Sequence, residues 1–247
     1  MAAEKKVCVI GAGPSGMNFL LHMQRFKNAG KNVPVITCYE KQDNWGGLWN
    51  YTWRTGSDEN GEPVHGSMYQ ALWMNGPKEA CELPDYTWDE HFGRELPSYL
   101  PREMVFDYLQ GIPFLMLTGF YSFALFTKCF LFEKGRWKKE DLKKLVTFSH
   151  VVRSVVYNEA TDDFTVIAEN LLEKKVLPPQ TFDFVCVASG HYSVPFTPAY
   201  PGVETFPGRV MHSHDFRNAK EFAGQKVLLV ISDFPVKENE SSECTSS

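Results

Sequence analysis

Gly11, Gly13 and Gly16 stand in the spacing G-x-G-x-x-G, directly after the apolar run Val7–Ile10 and directly before the helix-like stretch Met17–Phe26. Backbone capture of a pyrophosphate needs this arrangement. Gly11 permits a tight turn, Gly13 lets the main chain approach the phosphates, and Gly16 lets the helix pack closely on its strand. The free N–H groups and the dipole of the helix start then hold the anion. Glu40 lies 24 residues beyond Gly16, at the end of a second apolar run, Val33–Tyr39. An acidic side chain about 20 residues on is placed to accept from ribose hydroxyls. The motif alone is weak. Strand, glycine turn, helix, strand and terminal acid together make it specific.

An acidic residue at this position suits FAD or NAD and disfavours the ribose phosphate of NADP. The N-terminal place of the motif, Glu40-Lys41 and the later Gly46-Gly47 point to FAD. His212 and His214 invite a metal reading, but no cysteine or carboxylate spacing completes such a site. Ser189-Gly190-His191 lacks the G-x-S-x-G frame of a nucleophile elbow.

The elements that position these residues read as one right-handed βαβ unit followed by less regular chain. Residues 41–100 carry five of the six tryptophans with many Gly, Pro, Asn and Asp. Such long irregular segments are functional or disordered, and this aromatic content argues against disorder. Trp45, Trp49, Trp53 and Trp73 could wall a flat ring system, or could be core. Asn75-Gly76 could be a polar contact or only a turn. Pro101–Gln110 reads as a helix with Pro at its first turn and Gly111 beyond its end. Residues 150–169 alternate around Glu159–Asp163 as a β-hairpin, and Phe182–Ala188 and Lys226–Val230 read as strands.

The 247 residues carry a net charge of -5, which argues against nucleic-acid partners. The six cysteines are scattered without a C-x-x-C pair, so neither a zinc ribbon nor a disulfide framework is indicated. No signal peptide is expected, since the chain enters an apolar strand directly after Lys6. The expectation is a reduced, soluble, cytoplasmic protein.

From Val7 onward the chain resembles the flavin-containing monooxygenases. The resemblance is carried by Tyr39–Gly56, Asp58–His65 and Leu72–Glu79, and is stronger to the bacterial trimethylamine branch than to the animal microsomal one. A second marker, Phe206-x-Gly208-x-x-x-His212-x-x-x-Phe216, matches the family motif F-x-G-x-x-x-H-x-x-x-[YF]. The resemblance covers about 7–111 and 136–230. It implies an α/β fold of the FAD/NAD(P)-binding three-layer type, with a Rossmann-like parallel sheet. It implies an enzyme in which NADPH reduces FAD, and a C4a-hydroperoxyflavin passes one oxygen to a tertiary amine such as trimethylamine, or to a sulfide. By the same resemblance Gly11, Gly13, Ser15 and Gly16 hold the pyrophosphate and Glu40 the ribose. Gln42, Leu48, Trp49 and His65 line the FAD. Trp73 and Asn75 face the nicotinamide side, Asn75 as the catalytic amide, and Val152 contacts the adenine end. A homodimer is compatible with these features.

Two departures stand out. Ile112–Phe132 is a mostly apolar run with one charge, Lys128, where relatives pass almost directly from Gly111 to a segment like Arg136–Glu140. It reads first as an insertion (112–135) from an unspliced intron or a gene-model error, next as an extra buried helix, and last as membrane attachment. Relatives also follow the strand at 226–230 with a second glycine motif that binds NADPH, and Ile231–Asn239 contain no glycine. The expected organisation is an FAD-binding domain over 1–225. The first strand of an incomplete second nucleotide domain and a disordered tail then fill 226–247. A chain of this kind is expected to be truncated, poorly stable and impaired in NADPH reduction. The alternative is a non-catalytic FAD-binding fragment or inactive isoform.

Overall fold

The computed structural model describes residues 4–83, 86–111 and 142–230. These fall into two compact units, Met1–Arg217 and Asn218–Ser247.

Four strands form a parallel sheet in the order β3 (Val146–Thr147), β2 (Val35–Tyr39), β1 (Lys6–Ile10), β8 (Phe184–Val187). Helix α1 (Pro14–Asn28) returns the chain from β1 to β2. Pro at its first position has the fixed φ a helix start needs, and Arg25 and Lys27 in its last turn complement the dipole. A second, antiparallel sheet joins β4 (His150–Asn158), β5 (Asp163–Asn170) and β6 (Lys175–Val176), with β7 (Gln180–Phe182) also on β5.

Alternation along β1 builds three layers, because successive strand residues point to opposite faces. Val7 and Val9 join Met17, Leu20 and Leu21 of α1, Cys38 and Leu142. Cys8, between them, joins Tyr39, Val166, Ala168 and Phe182 beneath the antiparallel sheet. Leu20 and Leu21 are fully buried, and each such side chain stabilises the layer by roughly 1.5–3 kcal/mol.

The irregular region packs a separate cluster. Helices α2 (Lys78–Cys81), α3 (Trp88–Phe92) and α4 (Arg102–Gln110) enclose Met74, Trp88, Leu96, Leu100, Met104 and Tyr108. Thr87 caps α3 through a reciprocal box with Glu90. Helix α4 ends at Gly111 in the left-handed region, φ 68°, as its sequence predicts. Pro101 is its N-cap rather than its first helical residue.

Several expectations change. The apolar run 182–188 is two strands in two sheets. Asp183 breaks it: its carboxylate accepts from Lys6 N at 2.7 Å and pairs with Lys5 Nζ at 2.7 Å. Residues 226–230 form no strand and are exposed from Val227 to Val230. An apolar run becomes a strand only where another strand satisfies its backbone, and among the described residues none pairs with it. No helix of the described residues is long and apolar enough to cross a membrane. Ile112–Phe132 and the tail from Ile231 lie outside the described residues.

Candidate dinucleotide-binding site

The strand ends of the parallel sheet gather the sequence-marked residues. In open sheets of this kind ligands bind outside the carboxyl ends of the strands. The chain leaves β1 at Ile10 and turns through Gly11, whose φ is 101°. A Cβ at Gly11 would lie 2.6 Å from the Ala188 carbonyl oxygen at the end of β8, and one at Gly16 would lie 2.0 Å from the Gly11 oxygen. Neither position admits a side chain.

The first bond of α1 runs from Met17 N to Gly13 O at 2.9 Å. The N–H groups of Gly13, Ser15 and Gly16 precede it and have no place in the helical ladder. Gly13 offers no capping side chain, and the first turn holds no acidic residue. The positive end of the dipole is therefore left to an outside anion. A phosphate fits this donor set.

Glu40 follows β2 and is buried. Its carboxylate accepts from Ala12 N at 2.6 Å and from Gln42 N at 2.9 Å. Burial pushes the carboxyl above the ordinary range, while these N–H bonds and Lys41 pull it partly back. A carboxylate offers about four acceptor sites, so capacity remains for a hydroxyl beyond these N–H bonds.

A second glycine turn closes over the first. Gly46 N donates to Ala12 O at 2.9 Å, and a Cβ on Gly47 would come 2.9 Å from Gly13 Cα. Gln42 ties this turn down through Nε2 to Gly47 O at 3.3 Å, and its Oε1 accepts from Asn50 at 2.8 Å. Leu48 and Trp49 ride on the short 3₁₀ turn Gly47–Trp49, both half-buried. Trp49 packs on the α4 cluster. The Phe106 ring of α4 fills the space beside Gly46.

His65 reaches the same end of the sheet from the irregular region. A Cβ at Gly190, just past β8, would lie 3.6 Å from its Nε2. Burial first, then the charges of Lys41 and His214, hold its pKa below the ordinary histidine value. His214 is buried; its Nδ1 lies 3.0 Å from Asp215, and among the described residues its Nε2 has no partner.

The remaining predicted residues stand apart from this group. Trp73 and Asn75 are exposed on a segment bound to the start of α4 by Met74 N to Leu100 O and Arg102 N to Leu72 O, both 2.9 Å. Helix α4 therefore links them to the Gly46 turn. Val152 is half-buried against the Cys8–Tyr39–Phe182 cluster, where it pairs with Ala168 across the hairpin. Trp45 is not a site wall. It is 2% exposed in the α1 core and donates to Gln110 Oε1 at 2.7 Å. Trp53 is open to solvent. Among the described residues no group of His, Cys, Asp and Glu could hold a metal.

Sequence reasoning passed over Arg217. Its buried guanidinium donates to the carbonyls of Arg54 (3.1 and 2.8 Å), Gly66 (2.8 Å), His214 (2.6 Å) and Phe216 (3.1 Å). The one available signal was its place directly after the F-x-G-x-x-x-H-x-x-x-F motif.

A family model described as flavin-binding monooxygenase-like matches residues 4–233. Trimethylamine monooxygenase of Methylocella silvestris is 48% identical over 242 residues, covering 97% of this chain and 47% of its own length. The crystal structure of Tmm from Pelagibacter sp. strain HTCC7211 superposes with a TM-score of 0.75 at 44% identity, over 88% of this chain and 43% of that one. S-allyl-L-cysteine S-oxygenase from Allium sativum superposes at 0.66 with 25% identity, over 89% of this chain and 44% of that one. The chain thus spans about half the length of the curated relatives it matches. The strand-end glycine cradle, the Rossmann-like parallel sheet and the match over residues 4–233 agree, and the chain belongs to the flavin-binding monooxygenase-like family.

Proposed function

We propose that this chain is the FAD-binding part of an NADPH-dependent monooxygenase that oxygenates soft nucleophiles, tertiary amines such as trimethylamine or sulfides. The observation that carries the reading is the double glycine turn at the strand ends. There Gly13 faces Gly47 while the α1 start keeps unpaired donors and Glu40 anchors the loop from β2.

The residues divide the work by chemistry. Gly13, Ser15 and Gly16 present N–H groups to a pyrophosphate, with Gly11 holding the turn open. Glu40 accepts ribose hydroxyls with its remaining lone pairs. Gln42, Leu48, Trp49 and His65 border the rest of the dinucleotide, and Val152 serves its adenine end. Trp73 and Asn75 belong to the side where nicotinamide and substrate enter, Asn75 as a neutral hydrogen-bonding amide. Bound FAD, reduced by NADPH, supplies the electrons that activate dioxygen.

The trimethylamine monooxygenase relative supports an amine substrate and the Allium sativum S-oxygenase a sulfide. A second reading is a non-catalytic FAD-binding chain. It rests on Ile231–Asn239, which contain no glycine where the family resemblance leads one to expect a second glycine motif.

The test is the visible spectrum of purified 1–247. A flavin spectrum with close to one FAD released per chain supports the reading, and NADPH bleaching under nitrogen then separates enzyme from binding protein. A soluble, folded, colourless protein that takes up no added FAD overturns it.

A further inference from the structure

The segment from Arg54 to Gly66 is a closed loop with its own internal frame. Asp58 Oδ1 accepts from Asn60 N and Glu62 N, both at 2.9 Å, and Ser57 bridges Pro63. Val64 N donates to Gly56 O at 2.8 Å. Three cations from outside hold this unit. Lys41 Nζ donates to Pro63 O at 2.6 Å. Arg153, at the β4 bulge, pairs in a fork with Glu62 at 2.6 and 3.0 Å and also with Glu169. Arg217 takes the neck: Arg54 O and Gly66 O, the two ends of the loop, both receive bonds from one guanidinium.

His65 sits at this neck, between Val64 and Gly66, with its Nε2 turned toward Gly190. Its place therefore depends on the neck staying shut. Arg217 is itself fixed by His214 O and Phe216 O, and its own carbonyl accepts from Gln70 N at 2.8 Å. Five planar donors suit such a knot of carbonyls, and a lysine ammonium would reach fewer of them.

We propose that Arg217 is a positioning residue that closes the Arg54–Gly66 loop and so sets the His65 imidazole at the strand-end site. The functional part of this inference rests on the reading of that site as an FAD site.

The readout is the titration of His65, followed by NMR of ¹³C/¹⁵N-histidine-labelled full chain without cofactor. The groups acting on His65 are Lys41 and His214, besides its burial. In the unmodified protein the His65 midpoint should lie below the ordinary value. In Arg217→Gln the neck opens, and the His65 midpoint rises toward about 6.5. Arg217→Lys falls between, and added guanidinium ion returns the Arg217→Gln midpoint toward the starting one. Lys5→Gln, which removes a cation at the remote Asp183 pair, leaves it unchanged. A folded Arg217→Gln protein with an unmoved His65 midpoint overturns the proposal.

The unmodified chain gives a second measurement. The Arg217 Nε–H must exchange with water as slowly as buried backbone amides, and fast exchange also overturns the proposal. FAD titration separates the two readings. Arg217→Gln should weaken binding by about tenfold, one hydrogen bond's worth. A moved His65 with unchanged FAD affinity keeps the positioning role and removes His65 from the flavin site. A chain that binds no FAD removes the proposed function, and the His65 midpoint still judges Arg217.

Discussion

The Glu40 carboxylate at the end of β2 accepts a 2.6 Å hydrogen bond from the backbone N–H of Ala12, inside the glycine turn after β1. The acid is therefore part of the turn's frame before any nucleotide arrives. Glu40→Gln keeps one acceptor and sets an NH₂ group against a buried N–H. The expected loss is about 1–3 kcal/mol of stability, read by urea unfolding, together with weaker FAD binding.

The glycines of the turn should separate folding from binding. Gly11→Ala and Gly16→Ala drive a Cβ into carbonyl oxygens at 2.6 and 2.0 Å and should cost more than about 3 kcal/mol or abolish folding. Gly13→Ala meets only Gly47, its Cα at an ordinary 3.5 Å and its N at 3.8 Å, and Gly13 has φ -72°. It should stay within about 1 kcal/mol of the parent in thermal unfolding and yet lose flavin affinity in a fluorescence titration. Equal folding losses at all three positions would contradict this division.

His65 gives the protein a pH dependence with a defined sign. Its folded pKa is lowered, by burial first. Between that value and the ordinary one, about 6.5, the unfolded chain binds more protons than the folded one. Stability therefore falls as pH drops through this window and levels off below the folded value. Urea midpoints from about pH 7.5 down to about pH 5.5 should show the decline, and His65→Gln should flatten it.

In the α4 cluster, Tyr108 stacks on Trp88 with ring centres 3.8 Å apart. Its hydroxyl donates to Tyr86 O and accepts from Leu83 N. Tyr108→Phe removes both of these hydrogen bonds, and an expected loss of about 1–3 kcal/mol follows. Because α4 also carries Phe106 against Gly46, hydrogen exchange at the second glycine turn should quicken with it.

What the sequence disclosed follows the range of the forces involved. The β1 turn, α1, β2 and Glu40 were readable because each is set by neighbours within one βαβ unit. The α4 boundaries and the hairpin were readable from Pro101, Gly111 and alternation for the same reason. Trp45 stayed open between site wall and core because its partner Gln110 lies 65 residues away, and an indole in a core looks the same in sequence as one beside a ligand. Asp183 divided an apolar run through contacts with Lys5 and Lys6, at the far end of the chain. Arg217 left no charge pattern to find, since its guanidinium donates to backbone carbonyls, which every residue possesses.

The wall that Ala188 sets against Gly11 has a consequence for the order of assembly. β1 lies between an early neighbour, β2, and a late one, β8, where Phe184 pairs with Val7 across 177 positions of sequence. The glycine turn can form locally during synthesis, but its second wall arrives only with β8. Such distant pairing is slow because loop closure precedes any gain from contact. Cofactor capture is thus a closing event in folding: a chain stopped before β8 would carry the whole glycine motif and still lack a finished cradle.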